Sequence, residues 1–280
     1  MPAGRYRLGV VGNPNCGKTT LFNALTGSRQ QVGNWPGVTV ERKVGGYRHD
    51  DIDYEVIDLP GTYSLDVTSE DISLDEEIAR DFVHTREADL IVNIVDASNL
   101  ERNLYLTAQL IEMRRPMLVV LNMLDMAEQQ GVRIDLDAMA SRLGCPVMGV
   151  VASARRGIEA VREAIAQAVV ARPVPATVLP YDDGLAAAMA KLQPRLLAPA
   201  AQADADSAWL AGRLLEGDDL ARRLAGPSVI TDAELVALRA GLADDVDMLL
   251  ADARYGFAHR AVQAAVQRTQ QVSRQVSDRI

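Results

Sequence analysis

The chain has 280 residues, 48% hydrophobic and 24% charged, with a formal net charge of −9; that length fits one large domain or two modest ones, and the acidic balance argues against general nucleic-acid binding, which draws on a basic surface. Its two cysteines, Cys16 and Cys145, are too few for a disulfide framework and point to a reducing compartment. No apolar run approaches the roughly 18 residues that a bilayer span needs, and the N-terminus does not read as a signal peptide, so the chain as given is expected to be soluble.

The first predicted element is the apolar strand RLGVV, 7–11. It runs into GNPNCGKTT, Gly12 to Thr20, which matches the phosphate loop G-x-x-x-x-G-K-[ST], and the helical pattern KTTLFNALTG follows. Strand before and helix after is the context such a loop needs. Backbone N–H groups between 13 and 19 would wrap phosphates at a helix N-terminus, where the dipole favours anions. The phosphate-binding set is therefore Gly12, Asn13, Pro14, Asn15, Cys16, Gly17, Lys18, Thr19 and Thr20. Lys18 reaches the β- and γ-phosphates, and Thr19 ligates Mg²⁺.

The next strand is predicted over 38–47. It overlaps NWPGVTVERK, in which Gly37, Val38, Thr39, Val40 and Glu41 form a first switch. Thr39 is placed to complete Mg²⁺ coordination when the γ-phosphate is present and to let go after hydrolysis. Trp35 reads as an exposed loop residue that moves with this switch. The strand 53–59 ends in DLPG, so Asp58, Leu59, Pro60 and Gly61 form a second switch. Asp58 then sits near the Mg²⁺, and the Gly61 N–H meets the γ-phosphate. Lys18, Thr39 and Gly61 are thus the expected catalytic groups. Thr62 follows, where many small GTPases carry a water-orienting glutamine, so intrinsic hydrolysis is expected to be slow or to use another group. A monovalent cation beside the phosphates is one route, with Asn13 as its ligand; simple turn chemistry accounts for Asn13 equally well. The acidic run 69–81 reads as a solvated switch segment rather than a metal site.

Strands over 90–95, 117–122 and 146–151 alternate with helical stretches over 100–113 and 136–143. Short Val/Ile-rich runs alternating with helices mean a mostly parallel sheet with ligands at the carboxyl ends of its strands. NMLD, 122–125, matches N-x-x-D: Asn122, Met123 and Asp125 read the base. The Asp carboxylate accepts from guanine N1–H and the exocyclic amine, a donor pair that adenine lacks, so a carboxylate left unpaired rejects adenine. SAR, 153–155, follows the next strand and offers a backbone N–H to guanine O6. Its alignment is open by one residue, so Ala152, Ser153 and Ala154 are all candidates. The helix 158–171 closes a G domain of residues 1–172.

RPVPATVLP carries three prolines and reads as a linker, 173–182. Beyond it, 183–270 shows helical spacing and no strand-like run. Thr231 with Glu234 reads as a capping box that starts one helix carrying Leu235, Leu238, Leu242, Val246 and Leu249. His49, His84 and His259 show no metal-like spacing, Trp209 reads as core, and Met113, Met117 and Met148 read as core packing. The fold class is α/β, a phosphate-loop GTPase with a mostly parallel central sheet, followed by a small all-α bundle.

The segments GNPNCGKTTLFNALTGSRQQVGNWPGVTVERK, DLPGTYSL, VDASNLERNLYLTAQL, LNMLD and ADARY resemble the cytosolic N-terminal part of the ferrous iron transport protein B (FeoB) family, over essentially the whole chain. The resemblance implies GTP as substrate and GDP as product, Mg²⁺ as cofactor, K⁺ as activator through Asn13, and a helical domain that favours GDP binding. It also implies a C-terminal membrane domain moving Fe²⁺, reached through 271–280 at the cytoplasmic face of a bacterial inner membrane. It leaves room for a homo-oligomer and for small accessory transport proteins, with no nucleic acid. Met123 is usual in that family, whereas Cys16 is a departure from the common serine and raises the question of oxidation. The competing reading is a potassium-activated GTPase acting on ribosome or tRNA, against which the acidic balance weighs.

Overall fold

The computed structural model describes residues 4–27, 30–66, 73–85, 87–226 and 229–268. The apolar run near the N-terminus forms β1 (Arg5–Gly12), whose last five residues are all buried. The phosphate loop turns it into α1 (Lys18–Thr26). Two strands then form a hairpin, β2 (Gln30–Asn34) and β3 (Glu41–His49), and a two-residue turn leads to β4 (Ile52–Asp58). Helix α2 (Leu74–His84) is capped by Ser73, whose side chain accepts from the Glu76 N–H. Next come β5 (Leu90–Asp96), α3 (Leu100–Glu112), β6 (Met117–Asn122) and the short α4 (Leu124–Gln129). The unit continues through β7 (Val132–Ile134), α5 (Leu136–Leu143), β8 (Val147–Gly149) and α6 (Ile158–Ala171).

Seven of these strands form one sheet in the order β2-β3-β4-β1-β5-β6-β8. Its core, β4-β1-β5-β6-β8, is parallel, and only the β2–β3–β4 edge is antiparallel. The central strands are buried on both faces and therefore read as continuous apolar runs. All their carboxyl ends meet at one edge, which places the loops after β1, β4, β6 and β8 together.

Differences from the sequence reading arise here, among them the unforeseen short β7. The strand expected over 38–47 begins at Glu41, because 37–40 form the hairpin tip. Its partner β2 was not foreseen: its QQVGN carries one β-branched residue and is almost wholly exposed, so it has neither alternation nor an apolar run to betray it.

No helix or strand occupies 172–182. Five helices follow among the described residues: α7 (Asp183–Gln202), α8 (Ser207–Glu216), α9 (Asp219–Ala225), α10 (Asp232–Arg239) and α11 (Val246–Ala265). Trp209 is buried among them, as expected. The capping box at Thr231 and Glu234 is present, but the single helix expected from it is two. Gly241 and the pair Asp244–Asp245 interrupt it, while the apolar period runs on across the turn and conceals the break. The helical part also contains a strand, β9 (Val266–Arg268), antiparallel to β7. The Asp135 N–H donates to the Ala265 carbonyl at 2.8 Å beside it. So α11 runs back across α3 and α5 and ends hydrogen-bonded to the α/β unit. Residues 271–280 lie outside the described residues, as do 69–72 of the acidic run. No helix among the described residues is long and apolar enough to cross a membrane.

Thr231 is exposed and its hydroxyl accepts from the Glu234 N–H at 3.3 Å. Thr231→Ala should therefore lower stability by about 1 kcal/mol, the usual worth of an N-cap, read from urea unfolding followed by circular dichroism.

Candidate nucleotide-binding site

The phosphate loop is built on backbone conformations that only certain residues adopt. Asn15 and Gly17 sit at positive φ, 65° and 87°. A Cβ on Gly17 would lie 2.1 Å from Asn122 Nδ2, and one on Gly12 would lie 2.6 Å from the Ile94 carbonyl. The loop is therefore closed tightly against the neighbouring strand ends. Asn122 holds it there: its Nδ2 donates to the Cys16 carbonyl at 3.0 Å, and its Oδ1 accepts the Ala152 N–H at 3.0 Å. One buried amide thus joins the phosphate loop, the N-x-x-D loop and the loop after β8. Met123 beside it is left-handed (φ 61°) and turns the chain so that Asp125 enters the first turn of α4, partly buried. Ala152 braces Asn122, and the Ala154 N–H donates to the Val151 carbonyl in a short 3₁₀ turn spanning Ala152, Ser153 and Ala154.

Asp58 ends β4 directly opposite. Its Oδ1 lies 3.2 Å from Lys18 Nζ and its Oδ2 accepts from Thr19 Oγ1 at 3.3 Å. Hydroxyl and carboxylate oxygens with one lysine form a hard donor set, which fits Mg²⁺ and phosphate oxygens. Thr20 is exposed on the first turn of α1, and Pro14 lies at the loop surface. Leu59 is core, Pro60 is half-buried, and Gly61 passes so close that a Cβ there would stand 3.2 Å from Pro14 Cα. The Thr62 N–H donates to the Gly12 carbonyl at 3.3 Å, and its hydroxyl donates to the Ser64 carbonyl at 2.5 Å. Thr62 is buried, so its hydroxyl is committed to its own turn.

Asn13 is 2% exposed, and neither its Oδ1 nor its Nδ2 has a hydrogen-bond partner among the described residues. An amide oxygen buried beside the phosphate loop is a group that could ligate a cation, and its Nδ2 one that could donate to a phosphate oxygen.

Cys16 is buried, and burial pushes its thiol up to about 11, against a smaller opposing pull from Lys18. Burial that disfavours the thiolate also disfavours its oxidation.

Thr39 is exposed at the tip of the β2–β3 hairpin and has no hydrogen bond to Thr19, Lys18 or Asp58 among the described residues. Gly37 is at positive φ there, Val38 and Val40 pack partly against the core, and Glu41 pairs with Lys43 at 2.6 Å. Trp35, expected to be exposed, is buried. Its ring meets Phe82 of α2 edge-to-face at 5.8 Å, with the Arg42 guanidinium 4.9 Å from its centroid. A large ring beside an apolar helix face gains more by docking than by exposure. Met113 and Met117 are core; Met148 is half-buried.

Behind the second switch lies a group of charged residues that sequence reasoning missed. Asp66 accepts from Arg213 of α8 at 2.5 Å and from Arg254 of α11 at 3.0 Å. Arg254 also meets Glu112 of α3 at 2.9 Å, and Arg213 pairs with Glu216. Tyr181 donates to Glu112 at 2.7 Å. Gln109 of α3 accepts the Leu65 N–H at 2.9 Å and donates to Ser64 Oγ at 2.9 Å. Burial works against the Asp66 charge, but Arg213 and Arg254 outweigh it and hold its carboxyl below the usual range. Three carboxylates face two guanidiniums, and the surplus falls on Glu216, which burial raises to about 7 despite Arg213. The available signal was ADARY, which contains Arg254: a charge on a helix face otherwise spaced as apolar.

A strand, a phosphate loop with lysine and threonine on the following helix, an aspartate closing the next parallel strand, and N-x-x-D on the fourth define a G domain, here joined to a helical domain. Residues 6–165 match the family model of ferrous iron transport protein B, and 181–267 match that of the FeoB cytosolic helical domain. The chain belongs to the FeoB family. It is 50% identical over 255 residues to the Fe(2+) transporter FeoB of Escherichia coli K12, covering 90% of this chain and 32% of that protein. The chain thus spans about a third of the length of the curated relatives it matches. The cytosolic domain of FeoB from L. pneumophila superposes with a TM-score of 0.80 at 38% identity, covering 94% of this chain and all of that one. A GDP-bound point mutant of the S. thermophilus FeoB G-domain gives 0.82 at 35%, with 94% and 100% covered. The T. maritima cytosolic domain in its GMPPNP form gives 0.80 at 30%, with 94% and 99% covered.

The Glu216 carboxyl sets a pH dependence. Its folded value, about 7, stands above its ordinary 4.5, so its protonated form favours the fold at low pH and that stability is lost as pH rises through about 7. Glu216→Gln should match the wild type near pH 5 and become the more stable of the two by pH 8. Urea unfolding midpoints at the two pH values check this; an unchanging gap would contradict it.

Proposed function

We propose that the chain binds GTP, hydrolyses it to GDP and phosphate, and serves as the cytosolic regulatory part of a bacterial inner-membrane transporter for Fe²⁺. The observation that carries the reading is the meeting of Lys18, Thr19 and Asp58 with the Asn122-braced loops at one sheet edge. The nucleotide-bound relatives support it.

Asp125 accepts from guanine N1–H and the exocyclic amine, and the 152–154 turn faces O6, with Ser153 and Ala154 nearest because Ala152 serves Asn122. Loop N–H groups and Lys18 hold the phosphates and stabilise the charge that develops as water attacks the γ-phosphorus. The Gly61 N–H meets a γ-oxygen. Thr19 and Asp58, joined by Thr39 from the first switch, would hold Mg²⁺, which when bound neutralises charge on the β- and γ-oxygens. Thr62 cannot orient the water while its hydroxyl serves the Ser64 carbonyl, so the intrinsic rate is slow. Asn13 would hold K⁺, which supplies positive charge where an arginine finger otherwise acts. The first switch must leave its Trp35 anchorage for Thr39 to reach the metal.

The second switch continues into Asp66, and through Arg213 and Arg254 into the helical domain. Nucleotide state is relayed along that path toward a membrane domain beyond this chain, the partner that moves Fe²⁺. A homo-oligomer and small accessory transport proteins are further partners the family reading allows.

Hydrolysis should be faster in KCl than in NaCl by roughly tenfold or more, about 1.4 kcal/mol of barrier, and Asn13→Ala should erase the difference. Phosphate release in the two salts measures it, and equal rates in the intact chain would refute the cation role. Hydrogen exchange in α8 and α11 should differ between GDP and a non-hydrolysable GTP analogue; identical protection would sink the relay.

A further inference from the structure

At the far end of the sheet from the nucleotide loops, three ligand-type side chains converge. His49 closes β3, Asp50 and Asp51 make the two-residue turn at φ 47° and 60°, and Glu163 approaches from α6. His49 Nε2 lies 3.5 Å from Asp50 Oδ2 and 3.4 Å from Glu163 Oε2. One donor atom from each of the three lies within 4.8 Å of the others. A single ring nitrogen carries at most one proton, and at 3.4 and 3.5 Å both contacts are longer than an ordinary hydrogen bond. Neither Asp50 nor Glu163 has a lysine or arginine partner among the described residues; the nearby Arg48 pairs with Asp51 at 3.2 Å. The second oxygen of Glu163 accepts from Gln167 Nε2 at 2.8 Å, one turn along α6. Such a bond orients a carboxylate as the outer partners of metal ligands do.

We propose that His49, Asp50 and Glu163 bind a divalent transition ion and thereby clip the β3–β4 hairpin to α6. Imidazole with two carboxylates suits ions such as Co²⁺ or Zn²⁺, whereas Mg²⁺ and Ca²⁺ prefer all-oxygen sets. The site is open to solvent, so water completes the coordination. Ile52 and Asp58 stand at opposite ends of β4, about 20 Å apart at the rise of a strand, so this ion is separate from any at the phosphates. The two thiols do not compete, because both are buried and pushed up by burial, to about 11 for Cys16 and about 12 for Cys145. The imidazole that the sequence left without metal-like spacing finds its partner 114 residues on.

The test uses tag-free protein without nucleotide or Mg²⁺, titrated with Co²⁺ and followed by visible absorption and by the shift in Tm. One equivalent should bind and raise Tm, since an ion that binds only the folded form stabilises it. His49→Ala and Glu163→Gln should abolish both signals, Gln167→Leu should weaken binding roughly tenfold, and His259→Ala should leave it intact. GTP turnover should be the same in Glu163→Gln as in the wild type, so the result stands apart from the nucleotide reading. No bound Co²⁺ at millimolar concentration, or binding that survives both His49→Ala and Glu163→Gln, would overturn the proposal. In that case His49 does no more than hydrogen-bond to Glu163 at the surface.

Discussion

Two buried guanidiniums fix how this molecule is put together. Arg254 is 1% exposed and Arg213 is 4% exposed, and each must find anions where water cannot reach. Removing one partner from such a cluster typically costs about 3–5 kcal/mol, because the charge left behind stays buried. The partners that tie the helices down come from elsewhere in the chain: Asp66 from the segment after β4 and Glu112 from α3. Satisfying the arginines therefore dictates where α8 and α11 lie and how the backbone leaves the second switch. The packing of α11 on α3 and α5, and the small β7–β9 sheet at its end, follow from that placement.

The nucleotide site depends on a neutral version of the same logic. Asn122 is the only side chain that touches both the phosphate loop and the loop after β8 among the described hydrogen bonds. Its role in the base-reading motif is thus partly structural. It sets the distance between the part of the site that holds phosphates and the part that reads the base. Gly17 leaves the space that this amide fills.

The parallel strands were legible because burial on both faces leaves an unbroken apolar run, and the phosphate loop because its backbone demands glycine at fixed places. The functional loops were legible for the same reason, since each follows such a run. What escaped the reading depended on contacts between distant residues. Strand β2 is an exposed edge held by its hairpin partner, and β9 pairs with a segment more than a hundred residues earlier. The break between α10 and α11 hid inside an apolar period that survives it. Trp35 looked like a loop residue because nothing in NWPGV names Phe82. The charge cluster draws its members from across the chain, so no local spacing could assemble it.

Helix α2 has a consequence beyond its length. Phe82 receives Trp35 from the first switch, and His84 stacks on Trp209 of α8 at 5.6 Å. Two residues apart on a helix, these side chains point about 200° around its axis, to nearly opposite faces. Arg80 adds a third tie, to Asp218 at 3.4 Å. The helix is therefore held like a bar in a vice, with one jaw belonging to the G domain and the other to the helical domain. A roll or slide of the helix toward either jaw would stretch the ring contact on the other side.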